Sequence, residues 1–246
     1  MVRSTINLSK KVRLQNPIMI EGLPGTGFVA NLSTAYLINE LKAEKLAEIR
    51  SPYFQDFAVS LSDGTPRFPV NELYVCKSVE GERDLIILHG NTQALTVFGQ
   101  YELSGRFLDF IQDLGCDFII CLGGLNREKP TDYPQLYGAF TDLETRREVQ
   151  QYGLNLIKGR IFGMAGLLLG LASLRKMKGF CLLAETLGTY PDAVAAKEIL
   201  SFLMRYLGFN IDWKKFGEVT KDTFKVLELF SGMTKPKIKE EFFRRF

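Results

Sequence analysis

Apolar and polar residues along the chain group into segments that alternate between the pattern of a strand and the pattern of a helix. Short apolar runs predict strands over 17–21, 46–50, 71–79, 84–88, 117–122, 137–140 and 179–184. Apolar residues at spacings of three and four predict helices that begin at Phe28 and span 98–114, 163–174 and 191–207. This alternation predicts an α/β fold, a three-layer α/β/α sandwich whose mostly parallel or mixed sheet lies between helical layers.

A glycine-rich segment joins the first predicted strand to the first predicted helix and contains Gly22, Pro24, Gly25 and Gly27. Phosphate-binding loops occupy the same place in many α/β proteins. Here, however, the spacing is G-x-x-G-x-G and no Gly-Lys-Ser/Thr follows, so neither the dinucleotide-binding pattern nor the P-loop pattern is matched. The sequence favours a structural turn, because glycine allows a sharp change of direction and a close approach of two backbones.

Two later boundaries are marked by glycine, proline and aspartate. Gly123 and Gly124 are predicted to end the strand over 117–122. Pro191 and Asp192 are predicted to open a helix, since proline suits the first helical turn and aspartate suits the positive end of the helix dipole.

His89 is the single histidine and lies at the end of the strand predicted over 84–88. Ligands often bind at the carboxyl ends of strands in open α/β sheets. One histidine without identified partners, however, forms neither a histidine-based metal cage nor a catalytic triad. A structural role for His89 is favoured, and no metal, cofactor or catalytic residue is predicted. The alternative is a small-molecule enzyme that binds a nucleotide or nucleoside near Gly22, His89, Gly123 and Glu185.

The composition and charge argue against a nucleic-acid-binding protein and against a membrane protein. Hydrophobic residues make up 46% of the 246 residues and charged residues 24%, as in an ordinary packed core. The net charge of +3 is accounted for by 235–246, where five basic residues face two acidic ones. Without a basic stripe, nucleic acid is not expected as a partner. No apolar run is long enough for a membrane helix and the N-terminus lacks a signal peptide, so a cytoplasmic protein is predicted.

The last part of the chain departs from the strand–helix alternation. We therefore predict an α/β domain over 1–209 and a C-terminal helical extension with a basic, aromatic tail over 210–246. The tail ends in Phe242, Phe243, Arg244, Arg245 and Phe246. Two interpretations stay open: an amphipathic end helix that covers the core, or a docking segment, since aromatic residues beside arginine are common in interfaces.

Three segments together resemble the proteasome assembly chaperone family, and its archaeal members in particular. They are 22–29, the run 159–169 with Gly163 and Gly166, and 184–196; the segment 121–124 fits the family's strand and glycine turn as well. The resemblance spans about 17–209. It implies a three-layer fold akin to that of purine nucleoside phosphorylases. The family also carries a label that links it to ATP-grasp enzymes, so the enzyme alternative is of phosphorylase-like or ATP-grasp type, but the sequence shows no adenine-nucleotide, magnesium or phosphorylase-type site. The resemblance also implies a homo- or hetero-oligomer that binds proteasome subunits or a related chaperone chain.

The C-terminus differs from a motif found at the end of some proteasome-binding proteins. Some proteasome-binding proteins end in a hydrophobic residue, then tyrosine, then any residue. This chain ends in Arg244, Arg245 and Phe246, so arginine stands where tyrosine is expected. With the resemblance, the sequence predicts a non-enzymatic scaffold whose contact elements are the 22–27 turn with its following helix, the 126–135 loop and the tail.

Overall fold

The computed structural model of the protein describes residues 3–77, 83–129 and 133–231. The strands are β1 Thr5–Leu8, β2 Ile18–Gly22, β3 Glu44–Arg50, β4 Val59–Ser60, β5 Pro66–Arg67, β6 Asn71–Cys76, β7 Leu85–Gly90, β8 Phe118–Asn126, β9 Leu136–Phe140, β10 Asn155–Leu156 and β11 Lys178–Thr186. The α-helices are α1 Val29–Glu40, α2 Val97–Asp113, α3 Leu143–Gln150, α4 Gly163–Leu174, α5 Ala193–Leu207 and α6 Phe216–Ser231.

A mixed sheet forms the middle of the molecule. Its strand order is β1-β3-β6-β7-β2-β8-β11-β9-β10, while β4 and β5 form a separate hairpin. The centre, β7-β2-β8-β11, is parallel. On one side β6, β3 and β1 continue the sheet with antiparallel pairing, and on the other side β9 runs antiparallel to β11. The predicted mixed sheet is confirmed.

Helices cover both faces of this sheet. Alternate residues of β2 enter two different cores, because successive side chains of a strand point to opposite faces: Ile18 and Ile20 enter one core and Met19 the other. Buried residues of α1, α3 and α5 and the start of α6 share the first core, whereas those of α2 and α4 share the second. The predicted three-layer α/β/α sandwich is confirmed.

Two boundaries that were predicted from glycine and proline are wrong. Strand β8 does not end at Gly123 but continues through Gly124 to Asn126, because its whole length pairs with β11. Pro191 is not in the first turn of α5, since Asp192 is the N-cap residue and Pro191 precedes it. Gly208, with a φ of 76°, ends α5 as the pattern predicts.

Some elements are too short, or have too few apolar positions, to be predicted from the sequence. Helix α3 has the sequence LETRREVQ, and only Thr145 and Val149 are buried, so its apolar stripe is too narrow to recognise. Strand β1 is short and lies at the edge of the sheet. The predicted division at residue 209 stays a prediction. Beyond it, Ile211 and Phe216 are buried in the same core as α1 and α5.

Candidate functional site

The parallel strands β7, β2, β8 and β11 end at the same edge of the sheet, which we call the carboxyl edge. Residues far apart in sequence meet there. The 22–27 turn follows β2, His89 lies in β7, Gly123 and Gly124 lie in β8, and Asp192 follows β11. This is the edge where ligands bind in many α/β proteins, so its geometry decides between a ligand site and packed loops.

Asp192 ties the loop after β11 to the glycine turn. Its backbone amide donates to the carbonyl oxygen of Gly27 at 2.8 Å. Its carboxylate accepts one hydrogen bond from the amide of Ala195 at 2.9 Å, which caps α5, and another from the hydroxyl of Thr186 at 2.8 Å. Gly27 has a φ of 62°, and a Cβ there would lie 2.6 Å from Thr186 Oγ1, so this position requires glycine.

Gly124 brings strand β8 into direct contact with the same turn. A Cβ at Gly124 would overlap the carbonyl oxygen of Thr26 and would lie 2.8 Å from Thr186 Cγ2. The neighbouring Gly123 faces Leu183 of β11, where a Cβ would lie 2.6 Å from Cδ2. These glycines therefore serve close packing within a continuous strand rather than a turn.

Two polar residues of α1 hold the ends of β2 and β7 together. Asn31 Nδ2 donates to the carbonyl oxygens of Gly22 at 3.3 Å and of Gly90 at 2.6 Å. Thr34 Oγ1 lies 3.0 Å from His89 Nδ1 and 3.2 Å from the carbonyl oxygen of Gly22. Burial lowers the pKa of His89 to about 4, although the Glu72 carboxylate acts in the opposite direction. The imidazole is therefore uncharged at neutral pH and packs against α1.

Gln93, just after β7, links the glycine turn to the helix that opens with Gly163. Its Nε2 donates to the carbonyl oxygen of Pro24 at 2.6 Å, and its Oε1 accepts from the amide of Met164 at 3.1 Å. Gly166, one turn into α4, lies against the carbonyl of Ile161, which a Cβ would overlap. The start of α4 thus belongs to the carboxyl edge.

Glu21 is a buried carboxyl group beneath this edge, with 1% of its surface exposed. Its Oε1 accepts from the amide of Leu23 at 3.0 Å, while its Oε2 has no hydrogen-bond partner among the described residues. Glu21 lies in register with Cys121, which lies in register with Cys181. Burial raises the pKa of Glu21 to about 8, so the carboxyl is mostly protonated at neutral pH. Burial also raises the pKa of both thiols, which leaves them unreactive.

Glu185, the remaining candidate of the enzyme alternative, is engaged by neighbours. Its carboxylate forms an ion pair with Arg127 at 2.5 Å and accepts from the hydroxyl of Tyr137 at 2.9 Å. In the described part of the chain, no group of three or more His, Cys, Asp or Glu side chains could hold a metal ion. No helix within those same ranges is long and apolar enough to cross a membrane.

The structure thus brings together the glycine turn, His89, the β8 glycines, the start of α4 and Asp192. The tail residues Phe242, Phe243, Arg244, Arg245 and Phe246 lie outside the described residues, as does 130–132 of the predicted 126–135 loop.

Sequence reasoning missed Asn31, Thr34 and Gln93, which make connecting hydrogen bonds. The signal available for Asn31 and Thr34 is that both are polar yet lie among the apolar positions of a predicted helix.

Comparison with known proteins decides the family. The model of the PAC2 family matches residues 19–228. The chain belongs to this family. An uncharacterized protein of Methanocaldococcus jannaschii is 31% identical over 227 residues, which cover 90% of this chain and 87% of that relative. The family expected from the three glycine-containing segments is confirmed.

Two solved structures of Pyrococcus furiosus proteins are similar to this chain over nearly their whole length. PbaB, described as an archaeal proteasome activator, is 37% identical with a TM-score of 0.83, and the match covers 93% of this chain and 98% of PbaB. PbaA, described as an archaeal homolog of proteasome-assembly chaperone, is 25% identical with a TM-score of 0.75, covering 93% of this chain and 99% of PbaA.

Proposed function

We propose that this protein is a proteasome assembly chaperone-like scaffold, without catalytic activity, that binds proteasome subunits or a related chaperone chain. The observation that carries the proposal is the likeness to PbaB and PbaA over 93% of this chain. In physical terms, such a scaffold covers the apolar surfaces of free subunits until their correct neighbours replace it.

The geometry of the carboxyl edge supports a scaffold more than an enzyme. The carbonyl of Gly22 is bound by Asn31, and His89 contacts Thr34. Glu185 is paired with Arg127. These hydrogen bonds and this ion pair hold loops together at the carboxyl edge.

A second candidate function is activation of the assembled proteasome. It is favoured by one observation: PbaB, the solved relative described as an activator, has the higher identity of the two, 37% against 25%. The two functions differ in the state of the proteasome that is bound, because a chaperone acts on free subunits and an activator acts on the finished particle.

The finer features of the function are proposals as well. We place the protein in the cytoplasm and expect it to work as an oligomer with its own or a related chain. The tail residues Phe242 to Phe246 and the 126–135 loop are the proposed subunit contacts. The aromatic and arginine side chains of the tail are of the types enriched at interfaces.

The experiment adds the purified protein separately to free proteasome subunits and to assembled proteasome from the same source. A chaperone increases the yield or rate of particle formation, whereas an activator increases peptide hydrolysis by the finished particle. The His89→Ala variant is the control for the enzyme alternative, and it is expected to retain either effect. Binding to neither form of the proteasome would refute the proposal, and loss of the effect in a folded His89→Ala variant would revive the enzyme.

A further inference from the structure

Strand β9 has a neighbour along only part of its outer edge. Strand β10, the last strand of the sheet, has two residues and pairs with Tyr137 and Gly138. The amide of Ile157, just after β10, donates to the carbonyl oxygen of Gly138 at 3.0 Å. Beyond Gly138, no strand among the described residues pairs with β9 on this side. We call the uncovered stretch, Ala139 and Phe140, the open edge of β9.

The backbone amide and carbonyl of Phe140 point outward from the edge of the sheet. Hydrogen-bonding groups of successive residues alternate in direction along a strand. Thr141 bonds inward, because its amide donates to the carbonyl oxygen of Gly179 in β11 at 3.0 Å, whereas Gly138 bonds outward to Ile157. Phe140 shares the outward direction of Gly138, and its backbone groups have no hydrogen-bond partner in the described part of the chain. Unpaired groups of this kind are a template for another strand.

A cavity of about 330 Å³ lies beside this open edge. Its walls are mostly apolar, and they include Ala139 and Phe140 of β9, Leu143 and Arg146 of α3, and Ile157. Leu143 is 66% exposed, whereas the other apolar side chains of the wall are half-buried or buried. The volume is near the lower end of the range for ligand pockets, about 300–1,000 Å³. The open edge of β9 therefore has a mostly apolar recess next to it.

The cation in the cavity wall, Arg146, forms no ion pair with an acidic side chain of the described residues. Its Nε donates to Oε1 of Gln150 at 3.0 Å. Asp142, the acid in the same wall, is engaged by α3, since its carboxylate accepts from the amide and the hydroxyl of Thr145, each at 2.8 Å. A guanidinium group presents several N–H donors in a fork that fits a carboxylate. The cavity therefore combines an open strand edge, apolar walls and a cation that can bind an incoming carboxylate.

We propose that the open edge of β9 binds an extended, acidic segment of a partner protein, which adds to the sheet as a strand beside Phe140. An apolar side chain of this segment enters the cavity next to Leu143, and an aspartate or glutamate pairs with Arg146. In this mode of recognition, main-chain hydrogen bonds give affinity and pockets for alternate side chains give specificity. The inference deepens the proposed function, on which it rests only for the expectation of a protein partner.

Two other occupants fit this edge less well. The chain's own 235–246 segment has five basic and two acidic residues, so most of its charges would be repelled by Arg146. It also follows α6, where Phe230 stacks on Phe57 in the loop after β3, and β3 lies six strand positions from β9. A second copy that paired edge to edge about a two-fold axis would bring two Arg146 side chains together. Charge therefore favours an acidic segment of a different protein.

The test selects binders to the purified full-length protein from a phage library of random ten-residue peptides. We expect the selected peptides to carry apolar residues at alternate positions and an aspartate or glutamate. Fluorescence anisotropy then measures their affinity, and Arg146→Glu and Leu143→Asp should each raise the dissociation constant roughly 10-fold or more. Arg147→Glu is the matched control, because Arg147 is exposed on the same helix and does not line the cavity. Methylating the peptide amides one at a time should weaken binding at every second position, since only alternate amides face β9.

Three outcomes would overturn the inference, with melting curves to verify that each variant is folded. The library could yield no binding peptide. The selected peptides could bind the Arg146→Glu and Leu143→Asp variants as tightly as the wild type, which would assign them to another surface, such as the edge strand β1. Amide methylation could have no effect with a period of two, which would exclude strand addition. Because the library contains no proteasome subunit, this site can fail while proteasome binding holds, and the reverse.

Discussion

The backbone amide of Asp192 donates to the carbonyl oxygen of Gly27 at 2.8 Å, although 165 positions separate the two residues along the chain. The same aspartate caps α5 and accepts from Thr186. One residue thus fixes the start of a helix, the end of β11 and the glycine turn after β2. Two of the segments on which the family resemblance was based, 22–29 and 184–196, therefore meet in space.

The Asp192→Ala variant is expected to lose about 1–2 kcal/mol of unfolding free energy, because the N-cap bond to Ala195 and the bond to Thr186 disappear. Asp142→Ala is the control, since it removes the N-cap of α3 away from the glycine turn. Hydrogen exchange should quicken at the 22–28 amides in Asp192→Ala only. Equal exchange of those amides in both variants would show that Asp192 acts as a cap alone.

Gly124→Ala tests the close approach of β8 to the glycine turn. The added methyl group would overlap the carbonyl of Thr26, so unfolding free energy should fall by roughly 1–3 kcal/mol. Gly105→Ala is the matched control, because the nearest atom to a Cβ there is 3.9 Å away and the site is inside α2. That change should raise stability by about 0.5–1 kcal/mol. Chemical denaturation measures both, and a neutral Gly124→Ala would remove the packing explanation.

The alternating strands and helices could be predicted from the sequence because apolar residues recur at a regular spacing in each long element. The helix over 163–174, for example, was predicted with the bounds of α4. Gly123 and Gly124 were misread as a strand end, since a glycine required by a neighbour across the sheet looks the same in sequence as one that ends a strand.

The candidate site was harder to predict than the fold. Asn31 and Gln93 each bind backbone groups of segments distant in sequence, and no local pattern reports such a partner. The outward side of α4 was missed for a similar reason. The apolar run over 161–174 is typical of a buried helix, and only the tertiary arrangement reveals that one side of it faces outward.

The burial of Glu21 is expected to give the stability of the protein an unusual dependence on pH. In the unfolded chain its carboxyl ionises above pH 4.5, whereas in the folded protein burial keeps it protonated up to about pH 8. The folded state therefore binds more protons across this window, and Glu21 makes the protein less stable as the pH rises from 4.5 to 8. Glu21→Gln removes the ionisation and keeps an oxygen to accept from Leu23.

We expect the Glu21→Gln variant to exceed the wild type by roughly 3 kcal/mol in unfolding free energy at about pH 7, and by much less at about pH 5. Urea denaturation across this range measures the difference. Glu128→Gln, at an exposed loop position, is the control and should not change the slope. A constant difference between Glu21→Gln and wild type at all pH values would mean that the carboxyl does not titrate in this window.

Removal of 235–246 distinguishes the two interpretations of the tail. Helix α6, which precedes this segment, already packs against the rest of the protein, because Leu227 and Phe230 are each 3% exposed. A docking tail would leave the melting temperature within about 2–4 °C of the wild type, which corresponds to a change near 1 kcal/mol. The affinity for proteasome subunits would fall in the same shortened chain.

The aromatic and basic residues of the tail can then be separated. Replacing Phe242, Phe243 and Phe246 with Ser removes the apolar anchors, and replacing Arg244 and Arg245 with Ser removes the charges while keeping those anchors. If the tail covers its own core, the first variant should lose most stability, because each buried phenylalanine contributes roughly 1.5–3 kcal/mol. If the tail docks, both variants should lose affinity and keep the melting temperature.

A fall of about 10 °C or more on truncation, with affinity unchanged, would establish the covering role, because surface segments rarely shift stability that far. The subunit contacts would then have to lie elsewhere, with the 126–135 loop as the next candidate.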